Sequence, residues 1–252
     1  MGIEAPVARV FFCKKGLQEE IAEMSGVDFG PVVTRNPREA THLVASHHSD
    51  SMARFLRHVE DRHVTLFFAG EAIAPDFNLF DYSIGFDPLD YGRRYFRPHP
   101  MQRFGTWVGH KERMEETTAH TPVSARPLFC DFIYSNTDAH PMREIIFDTL
   151  GRQQKVHSWG QVANNSGHEF LRQGWKSDWR TQKLVLQARH RFSLAIENAT
   201  YPGDTSEKIM TSFFAGSIPI YWGNPAISAD FNPERFINIH DFASLQEALE
   251  VV

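Results

Sequence analysis

The segment from Phe192 to Gly223 constrains the fold more than any other part of this chain. Two apolar runs, at 192–196 and 218–222, have the length and composition of buried strands. The residues between them predict a polar loop and then a short helix over about 205–215, which Gly216 is placed to end in the left-handed conformation. Two strands joined through a helix form a βαβ unit, so the segment predicts a parallel sheet.

The loop and first helical turn of this unit are rich in charged and amide side chains. Glu197, Asn198 and Asp204 fall in the loop, and Glu207 and Lys208 fall in the first turn. Free N–H groups and the positive dipole end make a helix N-terminus favourable for phosphate. A lysine in the first turn opposes that dipole, so Lys208 predicts that an anion from outside the chain offsets its charge.

Strand-like and helix-like patterns alternate along most of the remaining sequence. The apolar runs at 8–13 and 64–68 are two of the predicted strands, and amphipathic patterns follow them. The periodicity fades over about 98–127, as in a connecting segment, and then resumes. Alternation of this kind indicates doubly wound parallel sheets. We therefore predict an α/β protein with two Rossmann-like domains, 1–125 and 126–252.

The overall composition is that of an ordinary globular enzyme. The chain has 252 residues, of which 42% are hydrophobic, enough for substantial cores. A net charge of −5 does not favour nucleic acid or an anionic membrane as a partner. Cys13 and Cys130 lie in apolar runs and predict buried, reduced thiols.

Neither a signal peptide nor a long apolar segment is evident in the sequence. We therefore expect a cytoplasmic protein. Any peripheral association with a membrane would not be encoded in this segment.

Several motifs occur in a fixed order along the chain. They are G-E-x-x-x-P from Gly70 with the segment Phe77–Arg97, then FCDFIYSN at 129–136, and finally F-x-x-A-x-E-N, S-E-K and G-x-I-P-I-Y-W-G between Phe192 and Gly223. D-F-N-P and F-I-N-I-H-D-F follow. Together these motifs resemble those of the α-1,3/4-fucosyltransferases, and especially the bacterial members, which are inverting enzymes that use GDP-β-L-fucose.

The resemblance implies a GT-B architecture, in which two Rossmann-like domains face a cleft. The N-terminal domain would bind the acceptor and the C-terminal domain GDP-fucose. The implied reaction moves L-fucose to a hydroxyl of an N-acetylglucosamine-type glycan, without a metal ion or other cofactor. GT-B folds usually continue beyond the last helix, which Ser244 and Glu247 predict through a capping box, so we expect the chain to be truncated at Val252.

Three charged residues are candidates for the chemistry. Glu71 follows a predicted strand, at the sheet edge where open α/β folds bind ligands, and is the candidate base that deprotonates the acceptor. Arg143, in the first turn of a helix, and Lys208 are the candidate clamp on the pyrophosphate, in place of a metal ion. Their plain structural alternatives are a solvated loop carboxylate, a surface helix residue and an i,i+4 ion-pair partner, respectively.

The resemblance assigns the remaining candidates to the donor. Glu207 would accept hydrogen bonds from the ribose hydroxyls, Asn198 would contact the sugar or phosphates, and Asn136 would belong to the same set. Asp204 stands where relatives commonly have a tyrosine, and a carboxylate there predicts weaker donor binding. Alternatively, Asp204 or Thr205 caps the helix.

Two other functions fit the same sequence. One is transfer of a different sugar from GDP or UDP, and the other is binding of a nucleotide or glycan without turnover. GDP-selective binding together with donor hydrolysis would favour the fucosyltransferase over both. The acceptor and the oligomeric state are left open by the sequence.

Overall fold

The structure, a computed structural model, describes residues 8–26, 28–108, 121–167 and 179–252. The chain divides into two compact units, Met1–Arg103 and Phe104–Val252. The division falls inside the predicted connecting segment at 98–127, and not at the predicted boundary after residue 125. The reason is that the Phe104 ring already packs against a hydrophobic cluster of the second unit. Residues 109–120 of that segment lie outside the described residues.

The first unit contains a parallel sheet in the order β1-β2-β3-β4-β5. Its strands are β1 Val10–Phe12, β2 His42–Ser46, β3 Val64–Phe68, β4 Tyr82–Ile84 and β5 Tyr95–Phe96. Helices α1 (Leu17–Ser25) and α2 (Ser49–His58) follow the first two strands. Alternate strand residues point to opposite faces, so Phe11 joins the cluster containing Phe55 of α2, whereas Val10 joins the cluster containing Leu17 of α1. Helices therefore cover both faces of the sheet.

The second unit contains a parallel sheet in the order β10-β9-β8-β6-β7. Its strands are β6 Leu128–Phe132, β7 Val156–Ser158, β8 His190–Ile196, β9 Ile218–Trp222 and β10 Ile237–Asn238. The described α-helices of this part are α3 Pro100–Val108, which begins in the first unit, α4 Met142–Gly151, α5 Trp179–Gln187, α6 Glu207–Phe214 and α7 Leu245–Glu250. The prediction of two parallel, Rossmann-like sheets is confirmed.

The predicted βαβ unit is β8-α6-β9. Its strands pair in parallel from Phe192 opposite Ile218 to Ile196 opposite Trp222. Gly216 has a φ of 65° and ends the helix as predicted. Because β8 lies between β6 and β9 in the sheet, the residues that follow the three strands meet at one edge. That edge carries most of the candidate site residues.

Candidate active site

A buried ion pair lies at the N-terminus of α6. Glu197, directly after β8, is only 2% exposed, and its Oε2 accepts a hydrogen bond from Lys208 Nζ at 2.9 Å. The same carboxylate accepts from the Ser206 backbone N–H at 2.9 Å and from Ser206 Oγ at 2.6 Å. Lys208 therefore already has an anionic partner within the chain, and the binding of an anion from outside the chain stays a prediction.

Ser206 is the N-cap of α6, because its Oγ accepts from the Lys208 backbone N–H. The alternative that Asp204 or Thr205 caps this helix is wrong. Thr205 is buried, and its Oγ1 accepts from Asn224 Nδ2 at 3.0 Å. Asp204 is half-buried, and its backbone N–H donates to Tyr201 O in a turn before the helix.

Lys208 remains charged and keeps donor capacity. Burial lowers the pKa of Lys208, but the carboxylates of Glu197 and Glu207 outweigh that effect, so the pKa lies above its usual value. An ammonium carries three N–H donors. Of these, one bonds to Glu197 and one to Ser206 Oγ at 2.9 Å. One donor can therefore serve a ligand oxygen.

Arg143 is buried at 2% exposure, so it is not a surface helix residue. Its Nη2 donates to Asn198 Oδ1 at 2.5 Å, and its Nη1 donates to the backbone oxygen of Asn136 at 3.1 Å. The guanidinium carbon lies 4.2 Å from the centroid of the Tyr134 ring. The structure thus brings Asn136, Arg143 and Asn198 together. Some of the guanidinium N–H donors are used in these hydrogen bonds within the protein.

Tyr134 joins the two parts of this site. Its hydroxyl donates to Leu194 O at 2.6 Å and accepts from the Ile196 N–H at 2.7 Å. Burial raises the pKa of this hydroxyl, and the charges of both Arg143 and Lys208 act on it in the opposite direction. Sequence reasoning missed this residue, although its aromatic ring beside polar residues in FCDFIYSN was a usable signal.

A cavity opens beside Arg143. Its volume is about 130 Å³, smaller than the roughly 300–1,000 Å³ of pockets that enclose whole ligands. It can therefore take only part of a nucleotide sugar. The lining residues are Asn136, Thr137, Ala139, His140, Pro141, Arg143, Glu144 and Val162.

Two further buried ionisable side chains, Lys183 of α5 and Asp131 of β6, were not predicted. Burial lowers the pKa of Lys183 on α5, although the carboxylates of Glu207 and Asp131 oppose this. Burial raises the pKa of Asp131 to about 7, and Ser193 Oγ donates to its carboxylate. Burial would also raise the pKa of Glu207, but the charges of Lys208 and Lys183 lower it below its usual value. Glu207 is therefore an ionised acceptor.

Glu71 lies in the first unit, in the loop after β3, and its side chain is exposed. Its backbone oxygen accepts from the Ile73 N–H at 2.8 Å. The structure places Glu71 at the carboxyl end of its strand, as predicted, and its role as a base stays a prediction.

Residues 8–26, 28–108, 121–167 and 179–252 contain neither a membrane-spanning helix nor a cluster of potential metal ligands. No helix in these ranges is both long and apolar enough to cross a membrane. Among the same residues, no group of three or more His, Cys, Asp or Glu side chains could hold a metal ion.

Comparison with known proteins identifies the family. The Alpha-(1,3)-fucosyltransferase FucT N-terminal domain matches residues 44–104, and the C-terminal part of Glycosyltransferase family 10 (fucosyltransferase) matches residues 123–252. The chain belongs to glycosyltransferase family 10. The resemblance to fucosyltransferases is therefore confirmed.

Individual relatives of this chain are also named as fucosyltransferases. The chain is 31% identical over 250 residues to the Alpha-(1,3)-fucosyltransferase FucT of Helicobacter pylori, with 86% of this chain and 49% of the relative covered. It is 29% identical over 123 residues to the Alpha-(1,3)-fucosyltransferase B of Drosophila melanogaster, with 47% of this chain and 28% of the relative covered. The chain thus spans about half the length of the first relative and less of the second.

Solved structures share the fold over the whole chain. A crystal structure of an alpha1,3-fucosyltransferase has a TM-score of 0.79 at 24% identity, and one of an alpha1,3-fucosyltransferase with GDP-fucose has a TM-score of 0.74 at 26% identity. Each match covers 100% of this chain and 79% of the solved chain. The predicted fold class, with two Rossmann-like domains of the GT-B type, is confirmed.

Proposed function

We propose that this protein is an inverting α-1,3-fucosyltransferase that moves L-fucose from GDP-β-L-fucose to a hydroxyl of an N-acetylglucosamine-type glycan. One observation carries the proposal. Arg143 and Lys208 lie at the same sheet edge, bonded to the adjacent residues Asn198 and Glu197. The Tyr134 ring lies against the Arg143 guanidinium, and its hydroxyl accepts from the N–H of the residue before Glu197. Two cations so placed suit the two charges of a pyrophosphate. The relative solved with GDP-fucose supports this choice of donor.

The donor would be held by side chains alone. The remaining N–H of Lys208 would donate to a phosphate oxygen, and Arg143 would bind the pyrophosphate through the cavity beside it. The ionised Glu207 would accept hydrogen bonds from the ribose hydroxyls, and Asn198 would contact the sugar or phosphates. In this proposal the two cations stabilise GDP as it leaves, and no metal ion is needed.

Glu71 would be the general base. In a single displacement, the acceptor oxygen forms a bond to the anomeric carbon of fucose on the face opposite the GDP oxygen. The bond to GDP breaks, the electron pair leaves with the phosphate, and Glu71 takes the proton of the acceptor hydroxyl. One displacement inverts the anomeric configuration, giving an α-linked product from the β-linked donor.

Titration with GDP and with guanosine tests the role of Arg143. We expect Arg143→Ala to weaken GDP binding by about 1.5–3 kcal/mol, the usual value for hydrogen bonds to charged groups, and to change guanosine binding little. Calorimetry measures both. Arg152→Ala, which removes an exposed arginine just after α4, is the matched control. An equal loss for the two ligands would show that Arg143 does not contact the phosphates.

Asp204 is expected to oppose donor binding. A carboxylate about 6 Å from a phosphate oxygen repels it by roughly 3 kcal/mol at an effective dielectric constant of 20. Asp204→Asn should therefore lower the Kd for GDP by up to about 100-fold, and Asp204→Tyr should lower it as well. Asp148→Asn, at an exposed position on α4, is the control. If GDP affinity is unchanged in both Asp204 variants, the carboxylate does not face the phosphates.

A further inference from the structure

The peptide bond between Ala69 and Gly70 is held at both of its polar atoms. Arg103 Nη2 donates to the Ala69 carbonyl oxygen, and the Gly70 N–H donates to His47 Nδ1 at 3.1 Å. Strand β3 ends at Phe68, so side chains replace the strand ladder as the partners of this peptide. The next residue along the chain is Glu71.

The two side chains that hold this peptide are themselves fixed. Arg103 is 8% exposed, and its guanidinium carbon lies 4.7 Å from the ring centroid of Phe68 and 4.0 Å from that of Phe86. His47 follows β2, which pairs with β3 in parallel so that Ser46 lies opposite Phe68. The imidazole therefore emerges beside the Ala69–Gly70 peptide.

Gly70 leaves the space that this contact requires. A Cβ atom at position 70 would lie 2.6 Å from His47 Cε1 and 3.1 Å from His47 Nδ1. The backbone of Gly70 is not among those with positive φ. The close approach of the imidazole, and not an unusual backbone angle, is thus the reason for glycine at this position.

His47 must be neutral at Nδ1 to accept this hydrogen bond. Burial lowers the pKa of His47 to about 4, and the positive charges of His48, Lys14 and Arg103 act in the same direction. With Nδ1 accepting, the ring proton lies on Nε2. The hydrogen bond is therefore available at neutral pH.

We propose that His47 is a positioning residue for Glu71, and that it acts with Arg103 by fixing the orientation of the Ala69–Gly70 peptide. The proposal rests on the proposed role of Glu71 as the base. An exposed carboxylate on a loop has many orientations, whereas a general base must lie within hydrogen-bond reach of the proton that it removes. Fixing the peptide that precedes Glu71 restricts the direction in which its side chain leaves the backbone.

Kinetics of His47 variants test this role. Because small misplacements of reacting groups are costly, His47→Ala should lower kcat by roughly tenfold or more with the KM for GDP-fucose within about twofold. His47→Asn should keep kcat within about threefold, since asparagine Oδ1 can replace Nδ1 as the acceptor. Arg57→Ala, at an exposed position of α2, is the control. Wild-type kcat in His47→Ala, or no recovery in His47→Asn, would overturn the proposal.

A double-mutant cycle separates positioning from an independent effect. If His47 acts through Glu71, then His47→Ala should change kcat by less than about twofold in a Glu71→Gln background. Independent, multiplicative losses would overturn the proposal. If Glu71→Gln alone leaves kcat unchanged, the role of Glu71 as a base fails, and the positioning role fails with it.

Thermal stability tests the contact without any assay of activity. Gly70→Ala should lower the Tm in the wild-type background, because its methyl group would meet the imidazole. The same substitution should lower the Tm much less in the His47→Ala background, where that space is empty. An equal loss in both backgrounds would show that His47 does not lie against Gly70, whatever the function of Glu71.

Discussion

Glu71→Gln is expected to lower the turnover number by about 10²-fold or more while the Kd for GDP stays nearly unchanged. A general base contributes about that much to the rate, and an amide cannot take up the acceptor proton. The substitution keeps the size of the side chain, and Glu71 is exposed, so the fold should not be affected. Initial rates at saturating GDP-fucose and acceptor, together with GDP titration, measure the two quantities.

The control for this prediction is Glu23→Gln, the same chemical change at an exposed position of α1. It should retain wild-type turnover. If Glu71→Gln also has wild-type turnover, Glu71 is not the base. It is then a solvated loop carboxylate, the structural alternative given above.

Breaking the buried ion pair between Lys208 and Glu197 should have the largest effect on stability. Lys208→Met should lower the free energy of unfolding by about 3 kcal/mol, because it leaves the carboxylate of Glu197 buried without its cation. The Lys208 side chain is 15% exposed and that of Glu197 is 2% exposed, so water can relieve little of this loss. Urea denaturation measures the change.

Two further variants separate the pair from its parts. Adding Glu197→Gln to Lys208→Met should restore most of the lost stability, since the uncompensated charge is removed. Arg9→Met breaks the exposed Arg9–Glu39 pair, whose side chains are 54% and 51% exposed, and should change stability by less than about 1 kcal/mol. Equal losses in Arg9→Met and Lys208→Met would contradict a special contribution from the buried pair.

The sequence predicted the βαβ unit because several local signals agree there. The apolar runs, the polar first turn and Gly216 indicate the same elements, and the observed strand β9 has the predicted bounds. The predicted helix start, at about Thr205, was two residues too early, because Asp204 and Thr205 are as suitable for an N-cap as Ser206 is. In the structure the Glu197 carboxylate accepts a hydrogen bond from the Ser206 N–H, which favours Ser206 as the N-cap. This contact forms only when the chain is folded.

The partners of the site residues were harder to predict, because they depend on which strands lie side by side. Glu197 is the clearest example. It pairs with Lys208 because the loop after β8 folds back and brings the first turn of α6 next to the end of the strand. Arg143 was predicted to bind phosphate through its guanidinium group. The same group also donates a hydrogen bond to Asn198, which is far away in sequence. Asp131 is the one charged residue in an apolar strand, so the sequence marks it as unusual. Lys183, whose charge acts on Asp131, lies on an amphipathic helix where a lysine is ordinary.

Calorimetric titration with GDP and UDP, in the wild type and in Arg143→Ala, tests the central claim most directly. That claim is that the sheet edge formed by Arg143, Asn198, Glu197 and Lys208 binds GDP-fucose through its pyrophosphate. We predict that GDP binds more tightly than UDP and that Arg143→Ala weakens GDP binding by about tenfold or more, as expected for loss of a charged hydrogen bond. Tighter binding of UDP, the absence of nucleotide binding, or wild-type GDP affinity in the variant would contradict it.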